Sequence, residues 1–147
     1  MKTIILVYAS MTGNTREMAD AIVEGIRSAG IEPEVKEVLD CSASDLADYD
    51  GIVLGAYTWG DGELPDEFLD FYEEMEGLDL RGKKAAVFGS CDSGYEKVGA
   101  AVDILLEKVT ALGADVPLNG LKVELSPSAQ EKETCREFGR SFAQSLM

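Results

Sequence analysis

The chain has 147 residues, with 13 Lys and Arg against 28 Asp and Glu, no His, and a formal net charge of −15 at pH 7. Repulsion from a surface of that sign argues against nucleic acid and anionic membranes as partners, and without His neither a His-dependent triad nor a His metal site can be built. The length suits one domain over residues 1–147, no apolar run approaches a membrane span, and with Lys2 leading straight into the first strand no signal segment is expected.

Residues 3–7 read as a strand buried on both faces. Met18, Ala19, Ile22, Val23 and Ile26 share one helical face, which predicts a helix starting near residues 12–15 and stopping at Gly30. The turn between, residues 8–15, is almost all small or hydroxylated. A helix start carries unpaired N–H groups and the positive end of the helix dipole. The Ser10, Thr12 and Thr15 hydroxyls, the Asn14 amide and the N–H groups of the turn are donors for one anion, with Gly13 letting the backbone come close. There is no Walker A lysine and no G-x-G-x-x-G. No Lys or Arg lies between Thr3 and Thr15, so the donors are neutral, which suits a permanently held phosphate monoester. An ordinary Ser/Thr/Asn-rich cap is the alternative reading of the same turn.

Residues 34–38 alternate weakly, as an edge or near-edge strand does. Residues 42–50 read as a polar connection anchored by Leu46 and Tyr49, and residues 52–56 as a second apolar strand. Pro65 suits the first position of a helix with Phe68, Leu69, Phe71, Tyr72 and Met75 inside. Its outer face is nearly all acid: between Asp61 and Asp79 no Lys or Arg interrupts the Asp and Glu residues. Residues 85–88 form a third apolar strand. Val98, Val102, Leu105, Leu106, Val109 and Leu112 mark a long helix closed by Gly113. A last strand region covers residues 115–116 and 121–125. Ser126-Pro127 is expected to cap a final helix with Cys135, Phe138, Phe142 and Leu146 inside. Cys41, Cys91 and Cys135 are widely separated and odd in number, so they predict neither disulfides nor a metal site but a reducing, cytoplasmic home.

Five strands alternating with helices predict an α/β sheet covered on both faces, with ligands beyond the carboxyl ends of its strands. Three loops leave those ends, at residues 8–15, 57–63 and 89–95. The first is the phosphate cradle. The other two carry the chain's single Trp, Trp59, and a Tyr, Tyr95. A phosphate with two aromatic rings describes a flat cofactor held between them.

These residues resemble flavodoxin. Tyr8-x-Ser10-x-Thr12-Gly13-Asn14-Thr15 is similar to its phosphate loop. The run from Thr58 through Trp59-Gly60-Asp61-Gly62-Glu63-Leu64 to Pro65 is similar to its first isoalloxazine loop, and Phe88-Gly89-Ser90-x-Asp92-x-x-Tyr95 to its second. The resemblance covers the whole chain and is to the short-chain type. It implies a flavodoxin-like doubly wound parallel sheet of order 2-1-3-4-5, the order for which flavodoxin is itself a standard example. It also implies a tightly but non-covalently bound FMN. Ser10, Met11, Thr12, Gly13, Asn14, Thr15 and Thr58 would hold the phosphate. Trp59 and Tyr95 would stack on the ring, beside Gly60, Asp61, Ser90 and Cys91. Asp92 and Gly99 would offer N–H groups to the pyrimidine edge, and the Lys97 carbonyl would accept there. Cys91 stands where the family usually has Gly, and Val98-Gly99 where a Phe-Cys pair is commoner.

The implied function is a low-potential one-electron carrier between redox proteins, cycling mainly between semiquinone and hydroquinone, and not an enzyme. A peptide flip at Gly60, which glycine makes easy, would place a carbonyl to accept from the reduced ring. No catalytic or metal-ligating residue is expected. The acidic surface suits redox partners with basic docking surfaces, and the chain is expected to act as a monomer. A nicotinamide-dependent reductase would need a second nucleotide site, which the chain does not offer. A signalling receiver would need paired acids where Ser10-Met11 stand, and a tyrosine phosphatase loop a Cys-x₅-Arg that is missing.

Overall fold

The computed structural model describes residues 2–9, 13–57, 64–91, 100–124 and 127–146. Among them five strands form one parallel sheet: β1 (Ile4–Tyr8), β2 (Glu34–Glu37), β3 (Gly51–Gly55), β4 (Lys84–Cys91) and β5 (Leu121–Glu124). Their spatial order is β2-β1-β3-β4-β5, as the resemblance implied. Parallel neighbours cannot be joined by a hairpin, so the chain must cross over the sheet between them. The long helices are α1 (Asn14–Ser28), α2 (Asp66–Glu74), α3 (Ala100–Ala111) and α4 (Ala129–Leu146).

Alternation along the strands divides the core into two layers. Ile5, Val7, Ile52, Leu54 and Val87 face one layer with Phe68 and Phe71 of α2 and Val102, Leu105 and Val109 of α3. Ile4, Leu6, Val53, Ala86 and Phe88 face the other, with Met18, Ile22 and Ile26 of α1 and Phe142 of α4. Because both faces are covered, β1 and β3 are buried at every position, which is why they read as apolar runs.

Gly30 ends α1 as expected. At φ 97 its N–H bonds to Arg27 O at 3.0 Å, and Ile31 N–H reaches back to Ile26 O. Gly113 closes α3 in the same way at φ 100, with Gly113 N–H on Thr110 O and Ala114 N–H on Val109 O. The two helices of one layer touch through glycines. A Cβ on Gly25 would lie 1.9 Å from Arg136 O, and one on Gly139 would lie 2.1 Å from Ile22 O.

Several boundaries differ from the sequence reading. β3 starts at Gly51, one residue early, and residues 42–50 are not a plain connection. A 3₁₀ helix over Ala43–Asp48 occupies them, opened by a capping box in which Ser42 and Asp45 satisfy each other's backbone N–H. Leu46 anchors it, fully buried. Pro65 precedes α2 with extended backbone, as its N-cap. Leu69 is 41% exposed rather than inside, because Phe68, Phe71 and Met75 already fill the inner stripe and Leu69 lies about 100° round the helix from Phe68. β4 continues three residues past Phe88, since β5 pairs with Gly89, Ser90 and Cys91 where β3 has ended. The cap of α4 is Ser128, whose Oγ accepts from Glu131 N–H at 3.1 Å while Glu131 Oε1 accepts from Ser128 N–H at 3.0 Å. Ser126, Val98 and Leu125 lie outside the described residues.

Candidate functional site

The carboxyl ends of β1, β3 and β4 lie side by side, at Tyr8, Gly55 and Cys91. Ladder bonding runs past them: Ala9 N–H donates to Gly55 O at 2.9 Å and Ala56 N–H to Phe88 O at 3.2 Å. The departure points of the first two loops are thereby fixed against their neighbours. Of the expected site residues, Ser10, Met11, Thr12, Thr58, Trp59, Gly60, Asp61, Asp92, Tyr95, Lys97 and Gly99 lie outside the described residues. Gly13, Asn14, Thr15, Ser90 and the backbone of Cys91 lie within them.

Gly13 is the N-cap of α1 at φ 93 and ψ −9, with its carbonyl accepting from Glu17 N–H at 3.0 Å. A Cβ there would meet nothing within 4 Å, so the demand for glycine is conformational and not steric. Glycine has no side chain with which to cap the helix, so the N–H groups of Asn14 and Thr15 take no bond from the cap residue's side chain. Asn14 and Thr15 begin that turn. Thr15 is 1% exposed, and its Oγ1 lies 2.7 Å from Oγ of Ser90, itself buried on β4. The described part of the cradle thus combines a helix start, a left-handed glycine and neutral hydroxyl and amide donors. That donor set fits a phosphate monoester.

Tyr57 opens the second loop and donates from its hydroxyl to Glu67 Oε1 at 2.8 Å. Burial, the hydrogen bond and the charge of Glu67 push its phenol far above its ordinary value, so it stays protonated and ties the loop's entry to the first turn of α2. Tyr8 is also pushed up, by burial first and by Glu37 second. Beyond Tyr57 the outer face of α2 presents Asp66, Asp70 and Glu73 to solvent. Near its end, Lys108 of α3 pairs with Glu76 and lies over the Tyr72 ring, 4.5 Å from its centroid. Among the described residues no group of His, Cys, Asp and Glu is placed to hold a metal ion.

The sequence reading missed both hydroxyl contacts. Ser90 looked like the beginning of a loop, and nothing in its neighbours marks a partner 75 residues away. Tyr57 and Glu67 are ten residues apart across a turn, a spacing with no periodic signature.

Residues 6–139 match the family model described as Flavodoxin. "Probable flavodoxin 2" of Bacillus subtilis is 48% identical over 97% of this chain and 95% of its own length. The flavodoxin of Maridesulfovibrio salexigens is 40% identical over 89% of this chain and 92% of that protein. The solved structure of oxidised Flavodoxin 1 from Bacillus cereus has a TM-score of 0.97 at 56% identity, with 99% of this chain and 100% of that one covered.

Proposed function

The chain belongs to the flavodoxin family of FMN-bound electron carriers, which serve redox partner proteins and are not enzymes, and from that premise we propose a residue-level reading of its site and surface. One domain over residues 1–147 holds FMN non-covalently beyond β1, β3 and β4. Ser10, Thr12, Asn14, Thr15 and Thr58, with the turn around Met11 and Gly13, hold the phosphate through neutral donors. Trp59 and Tyr95 sandwich the ring and exclude water, each stack contributing about 1 kcal/mol beyond burial. Gly60 and Asp61 border one edge and Cys91, Asp92, Lys97 and Gly99 the pyrimidine side, while Ser90 stands behind Thr15 of the phosphate cradle. Bound FMN supplies one-electron chemistry; the chain orients it and sets its surroundings.

The observation that carries this reading is the start of α1, where Gly13 at φ 93 provides no capping side chain and Thr15 brings a buried hydroxyl to the first turn. The acidic outer face of α2 supports partners with basic docking surfaces, steered by charge. The chain acts as a monomer in the cytoplasm. Among the described residues no helix is long and apolar enough to cross a membrane.

Purification tests the reading directly. The protein is expected to be yellow with one FMN per chain and quenched Trp59 emission. Thr12→Val and Asn14→Ala should each weaken FMN by roughly 1.5–3 kcal/mol, the value of a bond to a charged group, and leave riboflavin, which has no phosphate, little affected. A protein that stays colourless after FMN is added would end the reading.

A further inference from the structure

Ser90 lies on the part of β4 that outruns β3, held in extended backbone by the pairing of Ser90 with Val123 of β5. Side chains alternate along a strand, so Ser90 follows Phe88 onto the layer of α1 and α4. The Phe88 ring lies over β3 because Gly55 has no Cβ; one placed there would be 2.1 Å from the ring. At the end of this row Ser90 Oγ meets Thr15 Oγ1 at 2.7 Å, an ordinary hydroxyl–hydroxyl hydrogen bond. Both residues are buried, at 5% and 1% exposure. Either hydroxyl can donate, and each has one hydrogen.

We propose that Ser90 is a positioning residue for the phosphate cradle: its hydroxyl donates to Thr15 Oγ1 and so reserves the single Thr15 hydrogen for the phosphate. The inference rests on the phosphate being held at the start of α1. An anion accepts roughly twice as strongly as a neutral hydroxyl, so the Thr15 hydrogen turns to it and Ser90 supplies the remaining bond. The two bonds then run in one direction, and each strengthens the other. With no phosphate, the pair is satisfied either way round. Ser90 therefore acts through Thr15 and makes no contact of its own with the cofactor. The pair also holds the start of α1 against β4, although β1, from which α1 departs, is separated from β4 by β3 in the sheet.

The test titrates the full chain, stripped of flavin, with FMN and separately with riboflavin, following flavin fluorescence. Parent, Thr15→Val, Ser90→Ala and the double variant are compared. The parent should prefer FMN strongly. Ser90→Ala should lower that preference about fivefold, the equivalent of one neutral hydrogen bond, and leave riboflavin binding unchanged. A merely structural role would weaken both ligands alike. In the Thr15→Val background Ser90→Ala should have no further effect. Ser90→Cys, close in shape but a weak donor, should give a loss in the same direction, and it carries the comparison if Ser90→Ala does not refold. A preference unchanged by Ser90→Ala, or lowered again in the Thr15→Val background, overturns the Ser90 proposal alone. No preference for FMN in the parent overturns the phosphate reading, and the proposal with it.

Discussion

Cys135 is fully buried in the layer shared by α1 and α4, and burial pushes its thiol up to about 11. Cys41 is half-buried; desolvation, with Asp45 second, pushes it to about 11 as well. The thiolate is the reactive form, and at pH 8 both residues hold almost none of it. Neither should react with a chromogenic disulfide within minutes in the folded protein, and both should react at once in denaturant. Rapid native labelling of Cys135, read by mass spectrometry, would contradict its burial. The same shifts give stability a pH dependence of definite sign. Each thiol holds its proton in the folded chain to a higher pH than in the unfolded one, where the ordinary value is 9.0. Their contribution is complete below pH 9 and is lost as pH rises through about 11. Tm should therefore fall across that window. Cys135→Ala should flatten the fall even though the cavity it leaves lowers Tm at neutral pH.

The pair of α1 and α4 depends on two glycines for reasons of space. The atoms that a new Cβ would strike are backbone carbonyl oxygens, Arg136 O for Gly25 and Ile22 O for Gly139, and they cannot swing aside as a side chain can. Gly139→Ala should force the helices apart and cost about 1–3 kcal/mol, a Tm loss of several degrees at this chain length. Gly30 offers the contrast: it is needed for φ 97 but has nothing within 4 Å of a new Cβ. Gly30→Ala should cost only the left-handed penalty, about 1 kcal/mol. Equal losses in the two variants would mean that the helices do not touch at Gly139. Such a contact could not be read from the sequence, where Gly139 looks like a weak point in a helix. What was legible followed from local periodicity or local backbone demand: the buried strands, the inner faces of α1 and α4, and the stops at Gly30 and Gly113. The extension of β4 was illegible because Gly89 and Ser90 have poor strand propensity and are held by β5, more than 30 residues on. The 3₁₀ helix at Ala43–Asp48 reads in sequence as a connection because its polar residues carry no apolar period. At the candidate site the loop motifs and Gly13 stood out in sequence. The Thr15–Ser90 bond did not, since a hydroxyl pair leaves no spacing rule.

Charge belongs to the whole molecule, and its −15 should produce opposite salt effects in two measurements. Self-repulsion of a strongly acidic chain opposes compaction, and salt screens it. Raising NaCl from about 50 to about 500 mM shortens the Debye length from more than 10 Å to about 4 Å and should raise Tm. The same screening should slow electron transfer to a basic haem protein, because steering of unlike charges is lost. Ferricyanide, an anionic oxidant, serves as the internal control: it is repelled at low salt, so its rate should rise as salt is added. The acids on the outer face of α2 allow local charge to be separated from net charge. Asp66, Asp70 and Glu73 are exposed, at positions i, i+4 and i+7 of one helix face. Replacing them with Asn, Asn and Gln takes the net charge from −15 to −12. That modest change should raise the low-salt Tm slightly. If α2 forms part of the docking face, the salt dependence with the haem protein should flatten by more than this one-fifth reduction in net charge would give. The ferricyanide dependence should weaken only in proportion to net charge. Equal fractional weakening with both oxidants would show that the partner responds to overall charge and that α2 has no special place in docking. A parent rate with the haem protein that is independent of salt would remove charge steering altogether.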